Sequence, residues 1–176
     1  MGKSVFILGG ARSGKSDFAL KKASAEPGEK AFVATAEALD GEMRARIEKH
    51  RKERGKQWIT HEEPLRISGL IADIGDKYQV LLVDCLTLWL SNIMHAGYDV
   101  KNETKQLASV IGMGRVASLY IISNEVGLGL VPESPLGREY RDYLGILNQE
   151  VAKAATDVYF MAAGIPLKLK GDSDND

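Results

Sequence analysis

Cysteine is nearly missing: Cys85 is the only one in 176 residues, so no disulfide can close within the chain and a reducing, cytoplasmic setting is expected. An excess of either charge is missing too. Lys and Arg number 23 against 24 Asp and Glu, and a net charge of −1 argues against a broad nucleic-acid surface and for small-molecule partners. No apolar run approaches the roughly 18 to 20 residues that span a bilayer. Val5–Leu8 is also too short to be the apolar core of a secretion signal. The three histidines, His50, His61 and His95, are scattered and give no zinc-ligand spacing.

What remains is ordinary globular composition, 44% hydrophobic and 27% charged, at a length that suits one domain. That domain is expected over residues 1–170, with the polar stretch 171–176 as a disordered tail.

The most informative stretch is Val5-Phe6-Ile7-Leu8 followed by Gly9-Gly10-Ala11-Arg12-Ser13-Gly14-Lys15-Ser16. It fits G-x-x-x-x-G-K-[ST] between a short apolar strand and a helix-forming segment, the context in which that pattern cradles phosphate. Glycines let backbone N–H groups turn inward, the following helix adds its positive end, and Lys15 adds a full charge. Ser16 would then hold Mg²⁺ through its hydroxyl. A guanine-reading Asn-Lys-x-Asp motif is absent, so base preference is not legible.

Helices are expected over 15–25, from Asp40 to Gly55, from Pro64, over 86–94, from Asn102, and from Pro135 with Leu136, Tyr140, Leu144, Leu147 and Val151 on one face. Strands are expected at 5–8, 31–35, 57–61, 78–84, 119–123, 158–162 and 167–169, with Gly164-Ile165-Pro166 as a turn. Alternating strands and helices imply an α/β fold, a mostly parallel sheet with helices on both faces. Ligands gather at the carboxyl ends of such strands, which places Asp84, Ser123 with Asn124, and the phosphate loop along one edge.

Asp84 closes an apolar run as a Mg²⁺-organising acid does; the alternative is an ordinary helix-capping acid. Cys85 reads as a small buried hydrophobe. Between Arg44 and Lys56 seven Lys or Arg residues stand against two glutamates, with His50 among them on the stripe of Met43 and Ile47. Such a run is by default a solvated helix face, and His50 a packed or surface histidine. The sharper reading is a second phosphate-binding surface in which His50 attacks phosphorus. Neighbouring cations disfavour the imidazolium and would neutralise a pyrophosphate leaving group.

Taken together, these stretches resemble the bifunctional adenosylcobinamide kinase and adenosylcobinamide-phosphate guanylyltransferase family of cobalamin biosynthesis. The carrying residues are Gly9 to Ser16, Ala34-Thr35-Ala36, Arg46-Ile47 with His50-Arg51 and Arg54, Glu62-Glu63-Pro64, and Val83-Asp84-Cys85-Leu86-Thr87-Leu88-Trp89-Leu90-Ser91-Asn92. Ser123-Asn124-Glu125-Val126-Gly127-Leu128-Gly129-Leu130-Val131-Pro132, Arg138, Arg141-Asp142 and Asn148-Gln149 continue the match.

The resemblance implies phosphorylation of adenosylcobinamide by a nucleoside triphosphate, GTP or ATP, followed by transfer of GMP from GTP through a guanylyl-histidine. It implies nucleotide contacts at Gly9, Gly10, Ala11, Arg12, Ser13, Gly14, Lys15 and Ser16, at Ala34, Thr35 and Ala36, at His50, Arg51, Lys52 and Glu53, and at Glu62 and Asp84. Mg²⁺ falls to Ser16 and Asp84, catalysis to Lys15 and His50. A phosphate-loop (P-loop) NTPase core of the RecA type and a homotrimer are also implied. Where a proline commonly follows the arginine of the basic helix, this chain has Arg54-Gly55. The alternatives are a P-loop kinase for another small alcohol and a RecA-like nucleotide-driven module.

Overall fold

A computed structural model describes residues 2–37, 55 and 57–172. Seven strands form one sheet: β1 (Lys3–Gly9), β2 (Lys30–Ala34), β3 (Trp58–Glu62), β4 (Val80–Asp84), β5 (Ser118–Asn124), β6 (Asp157–Ala162) and β7 (Ile165–Lys170). Their order is β3-β2-β4-β5-β1-β6-β7. Every neighbouring pair is parallel except the β6–β7 hairpin. The described helices are α1 (Lys15–Ala25), α2 (Ile67–Ile74), α3 (Leu86–His95), α4 (Val100–Met113) and α5 (Pro135–Ala154). None of them is long and apolar enough to cross a membrane.

Because successive strand residues point to opposite faces, the apolar runs divide into two cores. Phe6, Val33, Leu81, Val83 and Ile121 face α2 to α5, where Ile67, Ile71, Trp89, Leu90, Leu107, Leu144, Leu147 and Val151 cover them. Val5, Ile7, Phe32, Leu82, Tyr120 and Ile122 face the other way, onto Ala19 and Ala23 of α1. The small side chains of α1 let that helix lie close to the sheet. A fully buried Leu or Phe contributes about 1.5–3 kcal/mol over its exposed state, so the unbroken apolar runs of β2, β4 and β5 carry much of the fold. Tyr120 also donates to Glu26 Oε1, tying β5 to the end of α1. Burial holds its phenol above the ordinary range.

Several boundaries differ from the sequence reading. Pro64 and Leu65 precede α2, because Glu63 Oε1 accepts from the N–H groups of Leu65 (2.9 Å) and Arg66 (2.7 Å) and holds a turn there. The cap of α4 is Asp99, whose carboxylate accepts from Lys101 and Asn102, so Val100 enters the helix and the core. Leu136, expected on the buried face of α5, is 57% exposed. Ile165 and Pro166 lie within β7, and the turn before it is Ala163-Gly164. The expected Asp40–Gly55 helix falls outside the described residues apart from Gly55, as does the tail beyond Asp172.

Candidate active site

β1 stops at Gly9 and α1 starts at Lys15, so five residues must reverse the chain and present their N–H groups at the head of α1. They curl through Arg12 (φ 55°) and Gly14 (φ 91°). Gly9 has no room for a side chain: a Cβ there would stand 2.5 Å from the carbonyl oxygen of Met161. Both neighbouring strands hold the loop by backbone bonds. Glu125 N–H donates to the Gly9 carbonyl (3.0 Å) from the end of β5, and Gly164 N–H donates to the Ser13 carbonyl (3.0 Å) from the β6–β7 turn.

Inside the loop Lys15 is only 7% exposed. Its Nζ donates to the Gly10 carbonyl at 2.6 Å. Burial lowers its pKa from the ordinary value, opposed by the charges of Cys85 and Asp84 when they are ionised. Ser13 Oγ is buried with no hydrogen-bond partner among the described residues. A buried cation and an orphan hydroxyl inside a curl of N–H groups are what a phosphate would complete.

Asp84 ends β4, two strands from β1, and its Oδ2 accepts from Ser16 Oγ at 3.2 Å. A hydroxyl and a carboxylate oxygen at this spacing suit a hard divalent cation, which takes one or two protein ligands and fills the rest with water and substrate phosphate. Among the described residues no group of three His, Cys, Asp or Glu side chains could hold a metal by itself, so substrate oxygens would have to complete such a site.

Thr35 is fully buried, and its hydroxyl donates to the Cys85 carbonyl and accepts from Cys85 N–H, both at 2.8 Å. Its side chain therefore fastens the end of β2 to the end of β4. Asn92 of α3 adds to this by donating to the Thr35 (2.8 Å) and Pro64 (3.1 Å) carbonyls. Ala34 and Ala36 flank this anchor, and Glu62 is exposed at the end of β3, four strands from β1. At about 4.8 Å per strand that is roughly 19 Å from the phosphate loop. His50, Arg51, Lys52 and Glu53 lie outside the described residues. Cys85 is buried, and burial raises its thiol pKa, which suits a packing role.

A polar network under the carboxyl edge escaped the sequence reading. Thr87 Oγ1 accepts from both the N–H (2.9 Å) and the Nδ2 (3.0 Å) of Asn124. Asn148 Nδ2 donates to the Asn124 carbonyl (3.1 Å), Ser123 Oγ donates to Asn148 Oδ1 (2.7 Å), and Tyr140 OH donates to the Thr87 carbonyl (2.9 Å). The available signal was Asn148, a polar residue on the apolar stripe of α5 between Leu147 and Val151.

Comparison with solved structures fits this architecture. A KaiC-like protein from Pyrococcus horikoshii superposes over 90% of this chain and 70% of its own, with TM-score 0.51 and 15% identity. The ATPase EscN of the type III secretion system of enteropathogenic E. coli matches over 92% of this chain and 43% of its own, with TM-score 0.54 and 13% identity. These likenesses concern the P-loop NTPase fold alone. In sequence, the bifunctional adenosylcobalamin biosynthesis protein CobP of Pseudomonas aeruginosa is 41% identical, over 94% of this chain and 96% of its own length. The bifunctional adenosylcobalamin biosynthesis protein CobU of Escherichia coli K12 is 35% identical, over 94% and 99%. The model of the cobinamide kinase / cobinamide phosphate guanyltransferase family matches residues 5–169, and with it the phosphate loop, Asp84 and the network beneath Asn124 fall within one continuous match: the chain belongs to that family.

Proposed function

We propose that this chain, as a single catalytic domain over residues 1–170, phosphorylates adenosylcobinamide with GTP or ATP. It then transfers GMP from GTP to adenosylcobinamide phosphate, giving adenosylcobinamide-GDP. The observation that carries this reading is the meeting of a buried Lys15 with the Ser16–Asp84 pair at the head of α1, inside a full-length family match.

Lys15 and the N–H groups of Gly10 to Ser16 bind and neutralise the triphosphate. Ser16 and Asp84 would hold Mg²⁺, which supplies charge neutralisation on the phosphates. In the second reaction an imidazole nitrogen of His50 bonds to the α-phosphorus of GTP as the α–β bridging P–O bond breaks and pyrophosphate leaves. A phosphate oxygen of the corrinoid then takes the α-phosphorus, and the P–N bond breaks. Arg51, Lys52 and Glu53 accompany His50 at the nucleotide, and Ala34, Thr35, Ala36 and Glu62 line its course by backbone and edge contacts.

Leu128, Leu130 and Val131 stand exposed on the loop that leaves β5 beside Gly9, a position suited to the apolar flank of a macrocycle. Arg138 ties down the far end of that loop by donating to the Pro132 (3.2 Å) and Glu133 (2.6 Å) carbonyls. The working unit is a homotrimer, as the resemblance implies, in the reducing cytoplasm that a single cysteine suits.

The test is incubation with Mg²⁺ and GTP labelled on the α-phosphate. The expected result is acid-labile, alkali-stable label on the protein that disappears in His50→Ala, while phosphorylation of cobinamide continues. Undiminished label on His50→Ala, or none on the unaltered protein, overturns the guanylyl-histidine.

A further inference from the structure

Phosphorylating an alcohol requires that the hydroxyl proton leave as the oxygen bonds to phosphorus, and a positioned carboxylate is a common acceptor. The strand order limits which carboxylate can serve. β1 lies between β5 and β6, and the β6 side ends in Ala162-Ala163-Gly164, with no acid. On the other side Asp84 is engaged with Ser16. Glu37, Glu62 and Glu63 follow β2 and β3, three and four strands away, about 14–19 Å. Glu63 is also occupied by two backbone N–H groups. Asp17 directly follows Ser16 on α1, about 100° around the helix, and is exposed. Glu133 is exposed at the far end of the loop. Among the described carboxylates at these strand ends Glu125 remains, one strand from β1 and bonded through its own N–H to the Gly9 carbonyl.

Its surroundings are those of a positioned group. Asn124 is fixed by Thr87 and Asn148, and Glu125 Oε1 accepts from Gly127 N–H at 2.6 Å. Among the described residues no partner occupies Oε2. The half-buried residue thus has one carboxylate oxygen spent on orientation and one without a partner among the described residues, on a residue whose backbone is bonded to the first glycine of the phosphate loop.

We infer that Glu125 is a catalytic residue of the kinase step: its Oε2 takes the proton of the substrate hydroxyl. The freed oxygen bonds to the γ-phosphorus, the bond from that phosphorus to the β–γ bridging oxygen breaks, and the nucleoside diphosphate leaves. This rests on the bifunctional reading above. The same chemistry makes Glu125 dispensable in the guanylyl transfer, because the acceptor there is a phosphate monoester that is largely deprotonated at neutral pH, its second pKa being about 6.

Glu125→Gln is the decisive variant, because the amide keeps an oxygen for Gly127 N–H and loses the ability to take a proton. The expected result is a kinase kcat lower by about 10²–10⁴-fold. The nucleotide KM should stay near that of the unaltered protein, as should GMP transfer to preformed cobinamide phosphate. Glu125→Ala should regain part of its kinase rate with added acetate. A kinase rate retained in Glu125→Gln, or an equal fall in both reactions, overturns the proposal alone. Failure of the unaltered protein to phosphorylate cobinamide overturns the bifunctional reading and the proposal with it.

Discussion

The two flanks of β1 restrain the phosphate loop alike and differ in everything else. Each contributes one backbone hydrogen bond of 3.0 Å, Glu125 N–H to Gly9 and Gly164 N–H to Ser13. Beyond that bond the β5 flank carries the Glu125 carboxylate next to a largely part-buried network of two carboxamides and two hydroxyls, whereas the β6 flank is a bare hairpin turn. Loop shape therefore needs only main-chain contacts, which either flank supplies. Directed chemistry needs side chains with fixed positions, and those occur on one flank.

The largest effect should come from the cation inside the loop that both flanks hold. Lys15→Met is expected to lower both reactions by about 10²–10³-fold. Its melting temperature at neutral pH should be no lower than that of the unaltered protein, since a buried ammonium is removed. The sign with pH follows from the lowered folded-state pKa. Between that value and the ordinary 10.5 the unfolded chain binds the extra proton, so the unaltered protein gains stability as pH rises and the difference shifts in its favour. Melting curves from neutral to alkaline pH check this.

An intermediate effect is expected from Asn148→Leu on the β5 flank. It strips the Ser123 hydroxyl of its acceptor and the Asn124 carbonyl of a donor, a loss of about 1–3 kcal/mol in denaturant unfolding. Kinase kcat should fall about tenfold or more through misplacement of Glu125, and GMP transfer should fall less. Unchanged kinetics would make the β5 flank as passive as its counterpart.

The smallest kinetic effects belong to the β6 flank. In Gly14→Ala a Cβ would enter at φ +91° and 3.3 Å from Gly164 Cα, costing about 1–3 kcal/mol and raising the nucleotide KM of both reactions together. Gly164→Ala has φ +82° and open space around the new atom, so about 1–2 kcal/mol of stability should go with no kinetic change. Urea titrations and steady-state kinetics on the pair separate loop shape from turn strain.

The strands and the phosphate loop were legible in the sequence because unbroken runs such as Val80–Val83 and the spaced glycines each have one strong physical reading. Competition among short polar residues was not legible. Asn102 and Asp99 both suit a helix cap, and burial of Val100 selects Asp99. Pro64 suits a first helical position, yet the Glu63 carboxylate takes the next two N–H groups for a turn. The resemblance makes Thr35 a nucleotide contact, while its hydroxyl is committed to Cys85, 50 residues away. Glu125 and Asn148 gained meaning only once strand order put one beside Gly9 and the other beneath Asn124.

The pairing of β1 has a consequence for the order of assembly. Lys3 meets Ser118 and Val5 meets Asp157, so both partners of the phosphate-loop strand come from the C-terminal part of the chain. Contacts this distant in sequence form late, because the intervening chain must be ordered or looped out first. In a chain still being made, β1 has neither of its neighbours until residues 118–161 are present. The strand that carries the phosphate loop is thus held only once the C-terminal part of the chain is in place, which makes nucleotide binding a report on a complete sheet.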